Sequence, residues 1–529
     1  MHLFTEFLHV AALVVALSCS LIAQAEGSPA ATSPTESDRP APAAADAEPD
    51  HSGFMSMSEL DAGQPRGLRL REPEAAPGYT IFEPLNSRAI YLIDLDGEVV
   101  HEWPTDSSPG GWVYLQDDGT LLRSGRVDDD VHFKGGGIGG VLQRLAPDGS
   151  LLWNWRFADE DHHQHHDIEP LPNGNVLLIA WERVSARDAA KLGRDLELID
   201  REKGFWPDML IEVRPILPDG AEIVWEWHAK DHFVQQLDPR APDYASPAEH
   251  PGRIDINFPD PYEEVVTAES LAEKRELEEA MRALGYVGGD DEDESEEERR
   301  KVTDFTHTNA VSYHAGHDLI VMSSPELCEI FVIDHSTTTE EAASSSGGRR
   351  GRGGDLLWRW GNPRNYGHGA VADRKLGYQH DPRWLPTSSP DELRLLVFNN
   401  GRQRPDGESF SSVDELVLPF DAERGFVRDE GAAFGPADPV WSYSAGDDFF
   451  SAFISGSQRL PNGNTLIASG AAGRLFEVTR EGKLVWDYRN GYGGDVIPPE
   501  HAGNAPPLAV YRVDRYAPDH PGVRALLGR

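Results

Sequence analysis

The sequence contains little cysteine, little positive charge and few long apolar runs. Only Cys19 and Cys328 occur among 529 residues, so disulfides cannot staple the fold, and we expect Cys328 to be a small core residue. Lys and Arg number 48 against 90 Asp and Glu, a balance that argues against nucleic acid or an anionic membrane surface as the main partner. After the amino-terminal segment, no stretch approaches the roughly 20 apolar residues that cross a bilayer, so we predict no membrane span.

The amino terminus has the composition of a targeting segment. Residues 10–23 are apolar and end in Ala23-Gln24-Ala25, the small-x-small pattern of a signal-peptidase site. We therefore predict a signal peptide over residues 1–25 and a periplasmic or secreted protein; a lipoprotein anchor at Cys19 is the alternative. Residues 26–75 are rich in Ala, Pro, Ser and acidic residues, which predicts a disordered linker.

From residue 78 onward, the chain repeats one pattern of short strands. Each repeat opens with an apolar strand and a tight turn, and closes with a hairpin strand that ends in an aromatic pair. The six closing ends are His101-Glu102-Trp103, Trp153-Asn154-Trp155, Trp225-Glu226-Trp227, Trp358-Arg359-Trp360, Trp441-Ser442-Tyr443 and Trp486-Asp487-Tyr488. Short strands in units of about four favour radial blades, because blades protect one another's edges. The sequence therefore predicts an all-β fold, a six-bladed β-propeller over residues 76–520.

Two stretches interrupt the pattern, and the shorter one, residues 336–354, is predicted to be a flexible hairpin tip. Residues 268–288 have apolar residues at helical spacing, and an acidic run follows at residues 290–301. We interpret the region from about 234 to 303 as a helical and acidic surface insertion within the single propeller domain.

The repeats also align one residue per blade at the start of the innermost strand. Counting back six residues from the turn proline, or to the matching place where the turn lacks proline, gives Gly78, Gly110, His166, His307, His380 and Ser455. Innermost strands run along the central channel, so equivalent positions face one another around the axis. We therefore expect His166, His307 and His380 to project their imidazoles towards one mouth of the channel.

Three converging imidazoles permit several chemistries. A neutral imidazole can act as nucleophile or general base, an imidazolium can bind an anion, and a metal site is a further use. The HHQHHD run at residues 162–167 does not by itself predict a metal, because alternation along a strand sets His165 apart from His166. By the same reasoning, Asp167 and Asp381 should point away and hydrogen-bond within their own blades.

The ordered motifs resemble those of the bacterial arylsulfotransferases, over roughly residues 76–520. The motifs are HHDIEPLPNGNVLL at 165–178, THTNAVSYHAGHDLIVMSS at 306–324, GYQHDPRWLP at 377–386 and SGSQRLPNGNTLI at 455–467. The resemblance implies a six-bladed propeller in the periplasm that moves a sulfuryl group from a small aromatic sulfate ester to a phenol. It implies neither a nucleotide sulfate donor nor any cofactor or metal.

The resemblance also assigns roles to residues. His380 matches the histidine that attacks sulfur to form a sulfohistidine. His166 and His307 match residues that bind the sulfate oxygens and assist proton transfer, and Asn309 of the same His-x-Asn motif is expected to contact the substrate. The implied mechanism is ping-pong, and nothing in the sequence indicates an oligomeric state.

The chain departs from the family pattern at one expected anion contact. The family carries an arginine where this chain has Pro325, and loss of a fixed guanidinium costs on the order of 2 to 4 kcal/mol if nothing replaces it. Arg402 or Arg404 is expected either to compensate or to be a rim charge. Two alternatives to sulfuryl transfer therefore stay open, a non-catalytic propeller that binds a ligand and a metal-dependent hydrolase.

Overall fold

The computed structural model describes residues 65–127, 132, 133, 135–258, 303–493 and 508–528. These residues form a six-bladed β-propeller, which confirms the predicted fold class. The strands of blades 1 to 3 are β2 (Tyr79–Phe82), β3 (Ala89–Ile93) and β4 (Val99–Pro104); β5 (Pro109–Leu115), β6 (Leu121–Arg126), β7 (Gly140–Leu145) and β8 (Leu151–Arg156); and β9 (His162–Pro170), β10 (Val176–Glu182), β11 (Asp208–Ile216) and β12 (Gly220–His228). The strands of blades 4 to 6 are β15 (Ala310–His314), β16 (Leu319–Ser324), β17 (Glu329–Asp334) and β18 (Trp358–Trp360); β19 (His380–Trp384), β20 (Arg394–Asn399), β21 (Ser412–Val417) and β24 (Trp441–Tyr443); and β25 (Gly456–Arg459), β26 (Thr465–Ser469), β27 (Arg474–Val478) and β28 (Leu484–Arg489).

Strands from both ends of the chain close the ring. The strand β1 (Gly67–Arg71) pairs antiparallel with β28 and adds an outer strand to blade 6. The strand β29 (Asp514–Tyr516) pairs with β2 and supplies the innermost strand of blade 1. Two expectations are therefore wrong: the predicted linker extends too far, because it includes β1, and Gly78 precedes a second strand rather than an innermost one.

The paired aromatic residues of the closing strands join neighbouring blades. In blades 2 to 6, an indole N–H of the closing strand donates a hydrogen bond of 2.7 to 2.9 Å to a backbone carbonyl of the next blade. The donors and acceptors are Trp153 and Gly220, Trp227 and Gly354, Trp358 and Gly435, Trp441 and Arg480, and Trp486 and Leu95. The indoles of Trp153, Trp227, Trp358 and Trp486 are also almost completely buried. Each such ring therefore removes a large apolar area from water while its single N–H group stays bonded.

Apolar side chains of adjacent blades share their cores. One large cluster joins blade 3 to blade 4 through Leu177, Leu210, Val311 and Ile320, each at most 2% exposed. Burial of this kind stabilises the stack of blades by about 25 cal/mol for each Å² of apolar surface removed from water. Cys328 is fully buried in the cluster between blades 4 and 5, as expected of a core residue.

The turns between the first two strands of a blade follow from local chemistry. In the Leu-Pro-Asn-Gly-Asn turn of blade 3, the side chain of Asn173 accepts a hydrogen bond from the backbone of Asn175 at 2.9 Å, and Gly174 has φ +85°. Only glycine enters that region without strain, so the sequence fixes a tight turn there.

The remaining elements lie between or beside the blades. They are α1 (Ala186–Lys191), α2 (Thr339–Ala342), α3 (Pro521–Leu527), the parallel pair β13 (Phe233–Val234) and β14 (Ile254–Asp255), the hairpin β22 (Phe420–Asp421) and β23 (Gly425–Phe426), and 3₁₀ turns at Leu196–Leu198, Ala229–His232, Pro363–Tyr366, Val371–Asp373 and Gly446–Asp448. The predicted signal peptide, the helix at 268–288 and the acidic run at 290–301 lie outside the described residues. No helix in the described part of the chain is long and apolar enough to span a bilayer.

Candidate active site

His166, His307 and His380 lie close together at one end of the channel. The rings of His166 and His307 meet edge to face with their centroids 4.6 Å apart. Burial, together with the positive charges of His307, His165 and His380, holds the pKa of His166 well below its usual value. His166 and His380 are almost completely buried, whereas 15% of the His307 side chain is exposed. The site therefore opens to solvent beside His307.

Left-handed backbone conformations turn the chain at this mouth. His166 has φ +54° and His307 has φ +44°, a region that non-glycine residues seldom occupy and that is often retained at functional sites. The pairing of β9 with β10 also shifts register opposite residue 179. Because this bulge interrupts the alternation of side chains, His165 lies beside His166 rather than away from it, which corrects the expectation from strand geometry.

The Nδ1 atom of His380 is held by two oxygen acceptors. It donates to the carbonyl of Tyr378 at 3.0 Å and to Oδ1 of Asn400 at 2.8 Å. The orientation of Asn400 is fixed because its amide nitrogen donates to the carbonyls of Ser451 and Ile454 at 2.7 and 3.0 Å. Nδ1 of His380 must therefore carry the proton, and Nε2 carries the lone pair.

The pKa of His380 favours the neutral ring. Burial is the main cause and lowers this pKa to about 4, although the bonds to Asn400 and Tyr378 oppose it. The positive charges of His307 and Arg512 lower it further. A buried neutral imidazole with an unprotonated Nε2 has the properties of a nucleophile.

His307 has the opposite electrostatic character. Its Nδ1 donates to Oδ2 of Asp304 at 2.5 Å. Burial alone would lower the pKa of His307, but the carboxylates of Asp304, Glu326 and Asp208 raise it to about 9. At neutral pH, His307 is therefore an imidazolium, a cation suited to an anionic substrate.

A chain of hydrogen bonds extends behind His166. The Nδ1 atoms of His166 and His165 are 2.7 Å apart, and Nε2 of His165 lies 3.0 Å from Oδ1 of Asp208. The other oxygen of Asp208 accepts bonds from the hydroxyl of Thr306 and the backbone of Thr308, both at 2.6 Å. Asp208 therefore connects His165 to both neighbours of His307.

The backbone of blade 2 supports His166 from the other side. The carbonyl of Gly137 accepts a hydrogen bond from the amide of His166 at 2.7 Å. A Cβ atom at position 137 would lie 2.3 Å from the His166 ring, and the residue has φ +68°. Only glycine fits this position without displacing the histidine.

Asn309 and Gln379 connect blade 4 to the strand that carries His380. The amide nitrogen of Asn309 donates to the carbonyl of Gln379 at 2.9 Å, while the carbonyl of Asn309 accepts from the hydroxyl of Tyr511 at 2.7 Å. Oδ1 of Asn309 is buried and has no hydrogen-bond partner among the described residues. Asn309 thus holds the backbone next to His380, and its role towards a substrate stays a prediction.

An acidic residue, Glu326, follows the position at which the family has an arginine and this chain has Pro325. Pro325 begins the turn after β16, and the carboxylate of Glu326 accepts a bond from the hydroxyl of Tyr378 at 2.5 Å. The guanidinium of Arg402 stacks on the ring of Tyr378 with its carbon 3.9 Å from the centroid. Arg404 instead bonds the carbonyl of Phe410 at 3.0 Å. Of the two arginines considered from the sequence, Arg402 is therefore the one that packs on a residue contacting His380.

A buried ion cluster crosses the channel beneath the histidines. The guanidinium of Arg512 donates to Asp167 at 2.7 and 2.9 Å and to Asp381 at 3.1 Å. Asp167 also accepts from the backbone of Val311 in blade 4, and Asp381 accepts from that of Ser457 in blade 6. Each aspartate also accepts a bond within its own blade, from Ile168 or Arg383, as the sequence predicted. The prediction that the aspartates point away is incomplete, because each carboxylate also bonds the next blade and the axial arginine.

Four residues that organise the site carried no assignment from the sequence: Arg512, Asn400, Asp304 and Asp208. Asp304 lies three residues before His307, a local signal that could have identified it. Arg512, Asn400 and Asp208 are distant from the histidines in the sequence and are brought to the site by folding. In the described residues, no group of three or more His, Cys, Asp or Glu side chains is arranged to hold a metal ion.

Comparison with solved structures finds matches of low identity and low TM-score. A protein of unknown function from Bacteroides caccae is 12% identical, with coverage of 83% of this chain and 99% of that one and a TM-score of 0.37. The periplasmic gluconolactonase PpgL of Pseudomonas aeruginosa is also 12% identical, with coverage of 80% and 96% and a TM-score of 0.36. Similarities at this level support no inference about function.

Comparison with protein families gives a specific result. No curated protein matches the sequence, but the family model for arylsulfotransferase (ASST) matches residues 82–490. The match covers all or part of every blade and includes the three histidines. This protein belongs to the arylsulfotransferase family.

Proposed function

We propose that this protein transfers a sulfuryl group from an aryl sulfate to a phenol through a covalent sulfohistidine at His380, without a nucleotide sulfate donor. One observation carries the proposal: Nδ1 of His380 is bonded to Tyr378 and to the fixed oxygen of Asn400. That arrangement leaves Nε2 as the nucleophile, and the low pKa keeps it unprotonated at neutral pH.

The first half-reaction forms the sulfohistidine. Nε2 of His380 attacks sulfur, the N–S bond forms, and the bond between sulfur and the aryl oxygen breaks with its electron pair on the departing phenolate. In the second half-reaction the acceptor phenol loses its proton and attacks the same sulfur, and the S–N electron pair returns to Nε2. His166, in ring contact with His307 and close to His380, is the group we assign to proton exchange with the two phenols.

His307 takes the electrostatic role. Its imidazolium, supported by Asp304, stabilises the negative oxygens of the sulfuryl group as charge redistributes. This fixed cation is an anion contact that the chain keeps, although it lacks the guanidinium that the family carries at the place of Pro325. Arg402, stacked on Tyr378, is proposed to contribute positive charge at the rim of the same pocket.

The proposed site of action is the periplasm or the cell exterior. The proposal rests on the signal-peptide pattern of residues 1–25. Small phenols and their sulfate esters are the substrates that membership of the family implies.

A non-catalytic ligand-binding propeller is the competing function. Pro325 favours it, because the carboxylate of Glu326 stands next to the position where the family has a cation. A binding protein would hold an aryl sulfate without cleaving it.

Intact-mass analysis of the protein mixed with 4-nitrophenyl sulfate distinguishes the two functions. We expect one added sulfuryl group, mapped to His380 by peptide sequencing, and release of nitrophenol that accelerates when a second phenol is added. The His380→Ala variant should fold with the same circular dichroism and lose both signals. Normal turnover by that variant would reject His380 as nucleophile, and binding without phenol release by the native protein would favour the binding function. Loss of turnover on chelation would instead favour a metal-dependent hydrolase.

A further inference from the structure

His166 faces a difficulty as a proton donor. It is completely buried, and the positive charges around it disfavour its imidazolium form. A leaving phenolate nevertheless needs a proton, because phenol, the conjugate acid of an unactivated phenolate, has a pKa of about 10. A group behind His166 that holds the positive charge would remove the difficulty.

The contact between His165 and His166 provides a group that can hold the positive charge. Two Nδ1 atoms 2.7 Å apart must share one proton. Nε2 of His165 faces the carboxylate of Asp208 at 3.0 Å, so it carries a proton in every state. The pair therefore has two forms that differ by one proton, and His166 is neutral in both.

In the first form, His165 is an imidazolium paired with Asp208, its Nδ1 donates to Nδ1 of His166, and Nε2 of His166 carries a proton. In the second form, both rings are neutral, Nδ1 of His166 donates to Nδ1 of His165, and Nε2 of His166 is unprotonated. Loss of a proton from Nε2 of His166 thus moves the shared proton from His165 to His166. The positive charge of the first form therefore lies on His165, beside a carboxylate, and never on His166.

We propose that Asp208 and His165 form a proton relay that lets His166 act as the acid in the first half-reaction and the base in the second, an inference that rests on the proposed function. The departing phenolate takes the proton of His166 Nε2, and the shared proton shifts to His166 Nδ1. The acceptor phenol later gives its proton to Nε2, and the shared proton returns to Nδ1 of His165. One proton enters and one leaves in each cycle, so no outside acid is consumed.

The side chain of Trp181 fixes the position of the His165 ring. The ring of His165 stacks on Trp181 with centroids 4.0 Å apart and planes 9° from parallel. The indole N–H of Trp181 donates to Asp304 at 2.8 Å, and Asp304 in turn holds His307. The relay and the cation are therefore fixed by the same tryptophan.

Asp208 has the ionisation that the relay requires. Burial would raise the pKa of Asp208, but the bonds and charge from His165 and the bonds from Thr306 and Thr308 lower it below its usual value. The charged or titratable groups facing the relay are Asp208 on His165 and His307 and His380 on His166. The carboxylate is thus available to stabilise an imidazolium at His165.

The leaving group of the donor tests the relay. Nitrophenolate is a weak base that departs without a proton, whereas unsubstituted phenolate needs one. The first equivalent of phenol released from phenyl sulfate and from 4-nitrophenyl sulfate is measured by stopped flow without acceptor, for the native protein, His165→Gln and Asp208→Asn. The control is His163→Gln, on the same strand, which removes a buried histidine that bonds the carbonyl of Gly139.

In both relay variants, we expect the rate with phenyl sulfate to fall by about 10²-fold more than the rate with nitrophenyl sulfate. The control should keep the native ratio of the two rates, and thermal unfolding shows whether each variant is folded. Equal losses with both donors would reduce His165 and Asp208 to structural residues and overturn the relay. Absence of phenol release by the native protein from either donor would instead overturn the proposed function itself.

Discussion

Asn400 holds the ring of His380 from behind: its side-chain oxygen accepts a hydrogen bond from Nδ1 at 2.8 Å. The amide nitrogen of Asn400 donates to Ser451 and Ile454, in the segment that leads from blade 5 into blade 6. If the Asn400 amide were rotated by half a turn, its NH₂ group would face the N–H of His380, and its oxygen would face the carbonyl oxygens of Ser451 and Ile454. The junction between two blades therefore selects the tautomer of the proposed nucleophile.

Asn400→Ala should slow formation of the sulfohistidine by about 10- to 100-fold, because misplacement of a reacting atom by about 1 Å costs as much as 10²-fold. The control is Asn399→Ala, a neighbouring buried side chain that bonds the backbone of Gly377 and Gly401 instead. Both variants should lose about 1 to 3 kcal/mol of stability from unpaired backbone groups. Rapid-quench measurement of the labelled protein gives the rate of sulfohistidine formation in each variant. An equal loss of rate in the control would contradict the role of Asn400 in positioning His380.

Asp304→Asn should move the basic limb of the pH profile to lower pH. His307 has a pKa of about 9 that depends on Asp304, and His380 has a pKa of about 4. The native kcat/KM should therefore rise as His380 loses its proton near pH 4 and fall as the His307 imidazolium loses its proton near pH 9. Without the carboxylate, the folded pKa of His307 falls, so activity is lost from a lower pH upward.

Trp181→Phe is the control for Asp304→Asn, because it removes one hydrogen bond to Asp304 and leaves the carboxylate in place. Its basic limb should stay above that of Asp304→Asn. A native profile that is flat between pH 7 and about pH 10 would rule out the imidazolium as the essential cation.

Gly137→Ala should reduce sulfuryl transfer with little unfolding. The added methyl group would meet the His166 ring at 2.3 Å, so the histidine must move. The control is Gly174→Ala, which has a similar positive φ of +85° but open space around the position of the new Cβ. Backbone strain is then matched, and only displacement of His166 differs. Similar phenyl sulfate kinetics in the two variants would show that the position of His166 tolerates the shift.

The fold could be predicted from the sequence because its signals are local. The turn at Gly174 and the indole pairs of the closing strands are encoded within a few residues, and their repetition counts the blades. The closure of the ring is not local: β29 has only three residues and pairs with β2, more than 400 residues earlier. Neither alternation nor turn chemistry marks such a strand, so Arg512 could not be placed on the axis.

The sequence predicts which residues share one position in the repeats, but it does not predict the neighbours of these residues in the site. Equivalent positions in the repeats identified His166, His307 and His380, but the neighbours that set their protonation come from bulges and blade junctions. A period of two sets His165 apart from His166, and the bulge in β9 cancels that rule. Asn400 meets His380 through the register of β19 and β20, which a single sequence does not reveal.

Arg512→Met should be among the most destabilising single changes in the propeller. It removes the guanidinium between Asp167 and Asp381. Asp381 keeps its salt bridge to Arg383, but the buried carboxylate of Asp167 loses the charge of Arg512, a loss of about 3 to 5 kcal/mol. Burial already raises the pKa of Asp167, and Arg512 opposes that rise. In the variant, the folded pKa of Asp167 rises further above its unfolded value, so the folded state binds more protons and stability increases as pH falls.

Urea unfolding of Arg512→Met at several pH values measures this effect. The difference in stability from the native protein should shrink as the pH falls through the raised folded pKa of Asp167 in the variant and this carboxylate takes up a proton. The double variant Arg512→Met with Asp167→Asn provides the control, because it removes the carboxylate that lost its counter-ion and should recover part of the loss at neutral pH. If the double variant is no more stable than Arg512→Met and neither responds to pH, the axial cluster contributes packing rather than charge compensation.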